Sequence, residues 1–240
     1  VFGDDPENLC LRISSSYLDM ETDEAAQNIL DNYNDGADER SFINDHHPRL
    51  KLFLSKMTDR LRPHEMKLFI QLYHPGASVQ GMAENWSASP IPNPMSGVIP
   101  IEMTKGMIDD VVASFASAAK RARDSGLDGI DVHASSGYLI HEFLSPALNK
   151  RTDEYGGTLQ NRMRFLNEVL AAIRAEIGND IPVGVRLPNE DYVPGGLTAQ
   201  MNAEIAKQIQ QVSDYISLHM GAYWRFHKLI APSDDPLGLE

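Results

Sequence analysis

Three hydrogen-bonding side chains, His133, Ser136 and Tyr138, fall within six positions of one another in a chain of 240 residues. An imidazole, a hydroxyl and a phenol that close together make one polar loop of hydrogen-bonding groups. The plain alternative for His133 is a core histidine bonded to an adjacent strand. Two further polar residues interrupt apolar runs: Gln71 in KLFIQLYHPG and Arg186 in PVGVRL. A buried guanidinium needs partners, so Arg186 reads either as a site cation or as half of a structural pair with Asp131 or Glu190. Gln71 reads either as a ligand contact or as a satisfied amide at a strand end. His74, His141 and His219 are expected to serve the structure. Acid pairs such as Asp4-Asp5 and Asp234-Asp235 are expected to be solvated surface. No HExxH, GxGxxG or Walker-type loop occurs, so neither a spaced metal site nor a phosphate-binding glycine loop is expected.

The elements that must position these residues follow from hydrophobic period. Ile130 and Val132 alternate with Asp131 and His133, which predicts a strand. The strand runs into Ser135-Ser136-Gly137, small residues that permit a sharp turn and close approach. A helix is predicted over 158–177, with Leu159, Met163, Phe165, Leu166, Val169, Leu170 and Ile173 on its apolar side and Gly178 as its stop. Strand, polar loop and helix in that order make a βα unit of a parallel sheet, which places chemistry at the C-terminal strand ends. The same alternation recurs. Residues 45–62 read as a helix with Pro48 in its first turn, and 67–73 as a strand. A helix capped by Thr104 carries Ile108, Val111, Val112, Phe115 and Ala119. Further strands are predicted at 182–187 and 214–218, with a helix between them. Residues 78–103 form a long loop rich in Pro, Ser and Asn, in which Trp86 is expected to pack rather than to act as a lid. Toward the N-terminus, Leu9–Ile13 and Phe42-Ile43 are the strand candidates, and Thr22 opens a helix through Ile29 and Leu30.

Composition bounds the function classes. Hydrophobic residues are 42% and charged residues 23%, an ordinary globular balance with length enough for one large α/β domain. The formal charge of −13 disfavours nucleic acid and anionic membrane as partners. With Cys10 as the only cysteine, neither an intrachain disulfide nor a cysteine-ligated iron–sulfur cluster can form. No apolar run approaches the roughly 20 residues of a membrane span, and no leader is visible, so a cytoplasmic protein is expected.

The stretch HASSGYLIHEFLSPALNKRTDEYGG, residues 133–157, followed by Asn161-Arg162 and Arg164-Phe165, resembles the fourth-strand signature of the Old Yellow Enzyme family of FMN-dependent oxidoreductases. The match is long and without gaps. KLFIQLYHPG is similar to that family's third strand and DYISL to its sixth. The resemblance implies a single α/β domain over 1–240 of the (β/α)8 TIM-barrel type. Residues 41–235 would be the barrel core and 1–40 a divergent N-terminal segment. About six βα units are readable, and the last two strands have no counterpart.

The resemblance also implies roles. His133 and its partner three residues on, here Ser136 where relatives carry Asn or His, would polarise a substrate carbonyl, and Tyr138 would protonate the carbon beside it. Gln71 and Arg186 would contact the flavin ring. The implied cofactors are FMN with NADH or NADPH as reductant. The implied partner is a small-molecule substrate, an activated alkene or an N-methyl amine, and a homo-oligomer is compatible. The alternative is a truncated or degenerate barrel serving as a binding or assembly module. Because the family's phosphate grip follows its seventh and eighth strands, the chain is expected to bind FMN weakly or not at all. A third reading, an aldolase-type barrel, finds no strand-end lysine to support it.

Overall fold

The computed structural model describes residues 48–78, 84–94 and 97–222. The predicted elements at Leu9–Ile13, Thr22–Leu30 and Phe42-Ile43 lie outside them. In chain order the structure runs through α1 (Pro48–Leu61), β1 (Phe69–Leu72), β2 (Trp86–Ser87), β3 (Ile101–Glu102) and α2 (Lys105–Asp124). Then come β4 (Gly129–His133), α3 (Leu139–Leu144), α4 (Leu159–Arg162), α5 (Arg164–Ile177), β5 (Val183–Pro188), α6 (Ala199–Ile209) and β6 (Tyr215–His219). No described helix is long and apolar enough to cross a membrane.

The chain divides into two compact units, one of Val1–Phe69 with Arg121–Asp128, the other of Ile70–Lys120 with Gly129–Glu240. In the first, α2 ends in a turn closed by Gly126, whose N–H bonds to the carbonyl of Arg123. Gly126 has φ +80, and a Cβ there would lie 2.9 Å from an Arg62 guanidinium nitrogen. Glycine answers both demands. Asp128 then accepts from Lys67 Nζ at 3.0 Å and from the Leu68 amide at 2.9 Å.

In the second unit the sheet order is β1-β4-β5-β6. β4 pairs parallel with β5, and β5 with β6. The Leu68–Asp128 and Gln71–Asp131 hydrogen bonds keep one offset of 60 residues, which marks β1 and β4 as parallel too. The four predicted strands are therefore adjacent, parallel and in sequence order, the arrangement of consecutive units in a (β/α)8 barrel.

The core forms where apolar periods meet. β4 is buried throughout. Ile108, Val111, Phe115 and Ala119 of α2 are buried, as are Phe165, Leu166, Val169, Leu170, Ile173 and Ile177 of α5. The helix predicted as continuous over 158–177 is two segments that meet at Met163. Thr158 caps the first by accepting from the Asn161 amide. The loop at 78–103 gains a short parallel pairing of Trp86–Ser87 with Ile101–Glu102. Trp86 stacks on His74, with centroids 6.1 Å apart and planes at 10°, so it packs as expected.

Pleating puts Asp131 and His133 on one face of β4. The register aligns Asp131, Gly184 and Tyr215 in one row, and His133, Arg186 and Ser217 in the next. The Tyr215 ring crosses Gly184, where a Cβ would meet its Cζ at 2.1 Å, and its hydroxyl donates to the Ile130 carbonyl at 3.2 Å. Gly184→Ala must displace that ring. The expected cost is about 1–3 kcal/mol, the usual range for overpacking. A denaturation midpoint equal to the parent's would show that the ring moves without penalty.

Candidate active site

β4 delivers His133 as its last residue, 4% exposed. The amide N–H of Ser135 donates to His133 Nδ1 at 3.3 Å, and Ser135 Oγ lies 3.2 Å from the same nitrogen. Nδ1 is thus an acceptor, which assigns the proton of the neutral imidazole to Nε2. The ladder continues past the strand, with the Ala134 N–H donating to the Arg186 carbonyl at 2.9 Å. Arg186, paired in register with His133, stands beside it on β5.

The loop then turns through left-handed backbone, with Ser136 at φ +65 and Gly137 at φ +86. Three anchors hold it. Gly137 N–H donates to His141 Nδ1 at 2.7 Å. Ser78 Oγ donates to the Gly137 carbonyl at 3.2 Å. Ser136 forms an isolated parallel bridge with Ala222. His141 passes the constraint inward: with Nδ1 accepting, its Nε2–H donates to Asp191 Oδ1 at 2.6 Å, both side chains being fully buried. Burial works against the Asp191 charge. His141, the Ser145 hydroxyl at 2.6 Å and the Leu197 amide at 2.8 Å outweigh it and hold the carboxyl below its ordinary range. His141 therefore serves the structure, as expected, by fixing the site loop.

Tyr138 opens α3, a six-residue helix buried along its whole length. Its ring meets His133 edge-on at 4.8 Å and lies 5.0 Å from Tyr73. It is only half-buried, whereas His133 and Ser136 are buried. His219, for which a structural role is expected, stands at the same place. Its ring is 6.3 Å from that of His133, and its Nδ1 is 3.4 Å from Ser136 Oγ.

Gln71 lies one row lower. Its Nε2 donates to Asp131 Oδ2 at 2.6 Å, which leaves Oε1 as the amide's acceptor. Burial pushes the Asp131 carboxyl up, against the pull of Gln71, the Arg186 charge and the Tyr215 hydroxyl. The structural alternative of an Arg186–Asp131 pairing thus has electrostatic support alongside the site reading. All five expected residues fall on β1, β4, β5 and the β4–α3 loop. A ring contact and strand register join His133 to Tyr138 and Arg186, Ser136 approaches through Ser135 at 3.5 Å, and Gln71 bonds to Asp131 in the row below.

Glu142 was not among the expected residues. It is 3% exposed, within α3, and its Oε1 accepts from the Ala77 N–H at 2.9 Å. Gly76, with φ +60, makes room for it, since a Cβ there would lie 2.3 Å from Glu142 Oε2. Burial pushes its carboxyl up to about 8, against the Ala77 amide and the Ser87 hydroxyl. The signal in the sequence was a lone acid inside the apolar run LIHEFL. Among the described residues no group of His, Cys, Asp and Glu is arranged to hold a metal ion.

The model of the NADH:flavin oxidoreductase / NADH oxidase family matches residues 28–231. A metal reductase of Desulforamulus reducens is 41% identical over 174 residues, which cover 71% of this chain and 26% of that protein. An NADPH dehydrogenase of Bacillus cytotoxicus is 39% identical over 180 residues, covering 75% of this chain and 51% of the dehydrogenase. Among solved structures, the old yellow enzyme homologue from Zymomonas mobilis superposes with a TM-score of 0.64 at 27% identity, over 72% of this chain and 53% of that one. The chain spans about half the length of the dehydrogenase and about a quarter of the metal reductase.

Proposed function

The chain belongs to the NADH:flavin oxidoreductase / NADH oxidase family, and from that premise we propose that it contributes the substrate face of an FMN-dependent oxidoreductase acting on an activated alkene. The observation that carries this reading is the convergence of His133, Ser136 and Tyr138 on one loop, with Arg186 beside His133 in register. The residues present fit a flat heteroaromatic ring: Gln71 keeps an acceptor in Oε1, and Arg186 supplies a cation on the same sheet face. Bound FMN would supply the hydride, taken from NADH or NADPH and passed to the electron-poor carbon of the substrate.

The chain's own residues supply position and charge. His133 donates from Nε2 to the substrate's carbonyl oxygen, where negative charge grows in the transition state. Ser136 is the second donor on that oxygen. Tyr138, half-buried and edge-on to His133, protonates the neighbouring carbon. The buried Asp191–His141–Gly137 series keeps the donors in place, so little reorganisation is needed as charge develops.

The test is direct. Purified protein loaded with FMN is given NADPH and an α,β-unsaturated ketone without oxygen, and the saturated ketone is measured. Flavin retained without any ketone reduced would sink the alkene assignment. No flavin retained at any concentration would sink the whole reading.

Ser136 carries a second expectation. Left-handed backbone costs a non-glycine residue about 1–3 kcal/mol, and asparagine tolerates it better than serine. Ser136→Asn is expected to unfold at a higher denaturant concentration. With an amide donor in place of a hydroxyl, one neutral donor replaces another, and kcat/KM for the ketone should stay within about fivefold of the parent's. A lower midpoint together with a kcat/KM below that range would count against this placement of Ser136.

A further inference from the structure

We propose that His219 is a positioning residue that sets the direction of the Ser136 hydroxyl, and so decides whether Ser136 can donate to a substrate oxygen. The inference rests on the reading of Ser136 as a donor given above. A serine has one proton, and it points wherever the best acceptor lies. Ser136 Oγ has two polar neighbours, His219 Nδ1 at 3.4 Å and Ser135 Oγ at 3.5 Å. Such contacts are commonly long until a ligand tightens them. Ser135 is oriented from its other side, because His133 Nδ1 already accepts the Ser135 amide and draws the Ser135 hydroxyl at 3.2 Å.

Two states of His219 then have opposite consequences. With the proton on Nδ1, His219 donates to Ser136 Oγ, one serine lone pair is occupied, and the serine proton is left for a ligand. With Nδ1 bare, His219 accepts the serine proton and Ser136 is no longer a donor. The first state gives the site two donors, from His133 and Ser136. The second gives it one.

The placement of His219 follows from register. It pairs with Pro188 on β5, two positions past the pairing of Arg186 with Ser217. Its carbonyl is held by the Asn189 amide at 2.8 Å. Its ring faces His133 at 6.3 Å across the Ser136 loop. A side chain 83 residues away along the chain thus reaches a hydroxyl that is 2% exposed.

The tautomer is measurable without turnover. Two-bond proton–nitrogen correlation spectra of the whole chain, with the His219 signals assigned by their loss in His219→Asn, are expected to show neutral His219 protonated at Nδ1. Protonation at Nε2 alone would overturn the proposal. Kinetics give a second arm on the FMN-loaded protein. His219→Leu is expected to lower kcat for the unsaturated ketone about tenfold with a small change in KM, because the lost neutral hydrogen bond falls on the oxygen where charge develops. His219→Asn places an amide donor near the former Nδ1 and is expected to restore most of that loss. Adding His219→Leu to Ser136→Ala should cost nothing more, because both act through one hydroxyl. An unchanged kcat in His219→Leu, or full additivity with Ser136→Ala, would overturn it. If the parent protein neither holds flavin nor turns over, the alkene-reductase reading fails, while the tautomer still decides this one.

Discussion

Tyr138→Phe is expected to slow reduction of the unsaturated ketone by about 10²–10⁴-fold, the usual weight of a positioned general acid, while flavin reduction by NADPH keeps its rate. The asymmetry follows from placement. The Tyr138 ring touches His133 and Tyr73, contacts that a phenylalanine ring repeats. Its side chain makes no cap bond to α3, whose first amide, that of Leu139, donates to the His74 carbonyl at 3.0 Å. The loop that carries it is fixed instead by Gly137 on His141 and by Ser78. On the proposed role the substitution removes the proton donor while the ring contacts and the loop anchors remain, and the denaturation midpoint should shift by no more than about 1 kcal/mol. Stopped-flow absorbance separates the two half-reactions. A reoxidation rate equal to the parent's would remove Tyr138 from its role, and a matched loss in both half-reactions would make it structural.

Much of the sheet was legible because its strands leave short apolar runs bounded by turn residues, as at 67–73, 129–133, 182–187 and 214–218, the middle two being buried nearly throughout. Each observed strand lies within one or two residues of those bounds. Strand order could be read as well, since βα units place sequential strands side by side. His133, Ser136 and Tyr138 were legible for a similar reason, being local to one strand end. The Ser136–His219 contact was not, because it depends on how far β6 runs past β5. Period cannot fix that length. The Gln71–Asp131 bond belongs to the same class, being a pairing across strands 60 residues apart. The break at Met163 was hidden because Arg162 and Arg164 fit a helical pattern on either side of it. α3 was hidden by its six-residue length, too short for an apolar period to show.

Glu142 carries the second large effect, on stability. Its carboxyl rises from 4.5 to about 8 because it is buried. The folded chain therefore holds a proton that the unfolded chain releases above pH 4.5, so stability falls as pH rises from 4.5 to 8 and levels beyond. At 1.36 kcal/mol per unit the full change is about 5 kcal/mol. His74 has the opposite sign. Burial lowers it from 6.5 to about 4, so it gains stability as pH rises from 4 to 6.5. The two trends oppose each other between pH 4.5 and 6.5. Between 6.5 and 8 the His74 contribution is complete, and Glu142 should cost about 2 kcal/mol over that interval.

Glu142→Gln keeps an acceptor for the Ala77 amide and removes the titration. The variant is expected to hold its stability from pH 6.5 to 8 where the parent declines. Below 6.5 it should expose the rising limb of His74, about 3 kcal/mol over the two units that Glu142 had masked. Urea denaturation at half-unit steps from pH 4.5 to 8.5 reads both limbs, and the difference between the two proteins isolates Glu142 from the remaining carboxylates. Parallel profiles would mean that Glu142 ionises in the folded chain without penalty. The Gly76 turn, with Ala77 and Ser87 at the carboxyl, would then have to open to water, and faster amide exchange at Ala77 above pH 8 would report that opening.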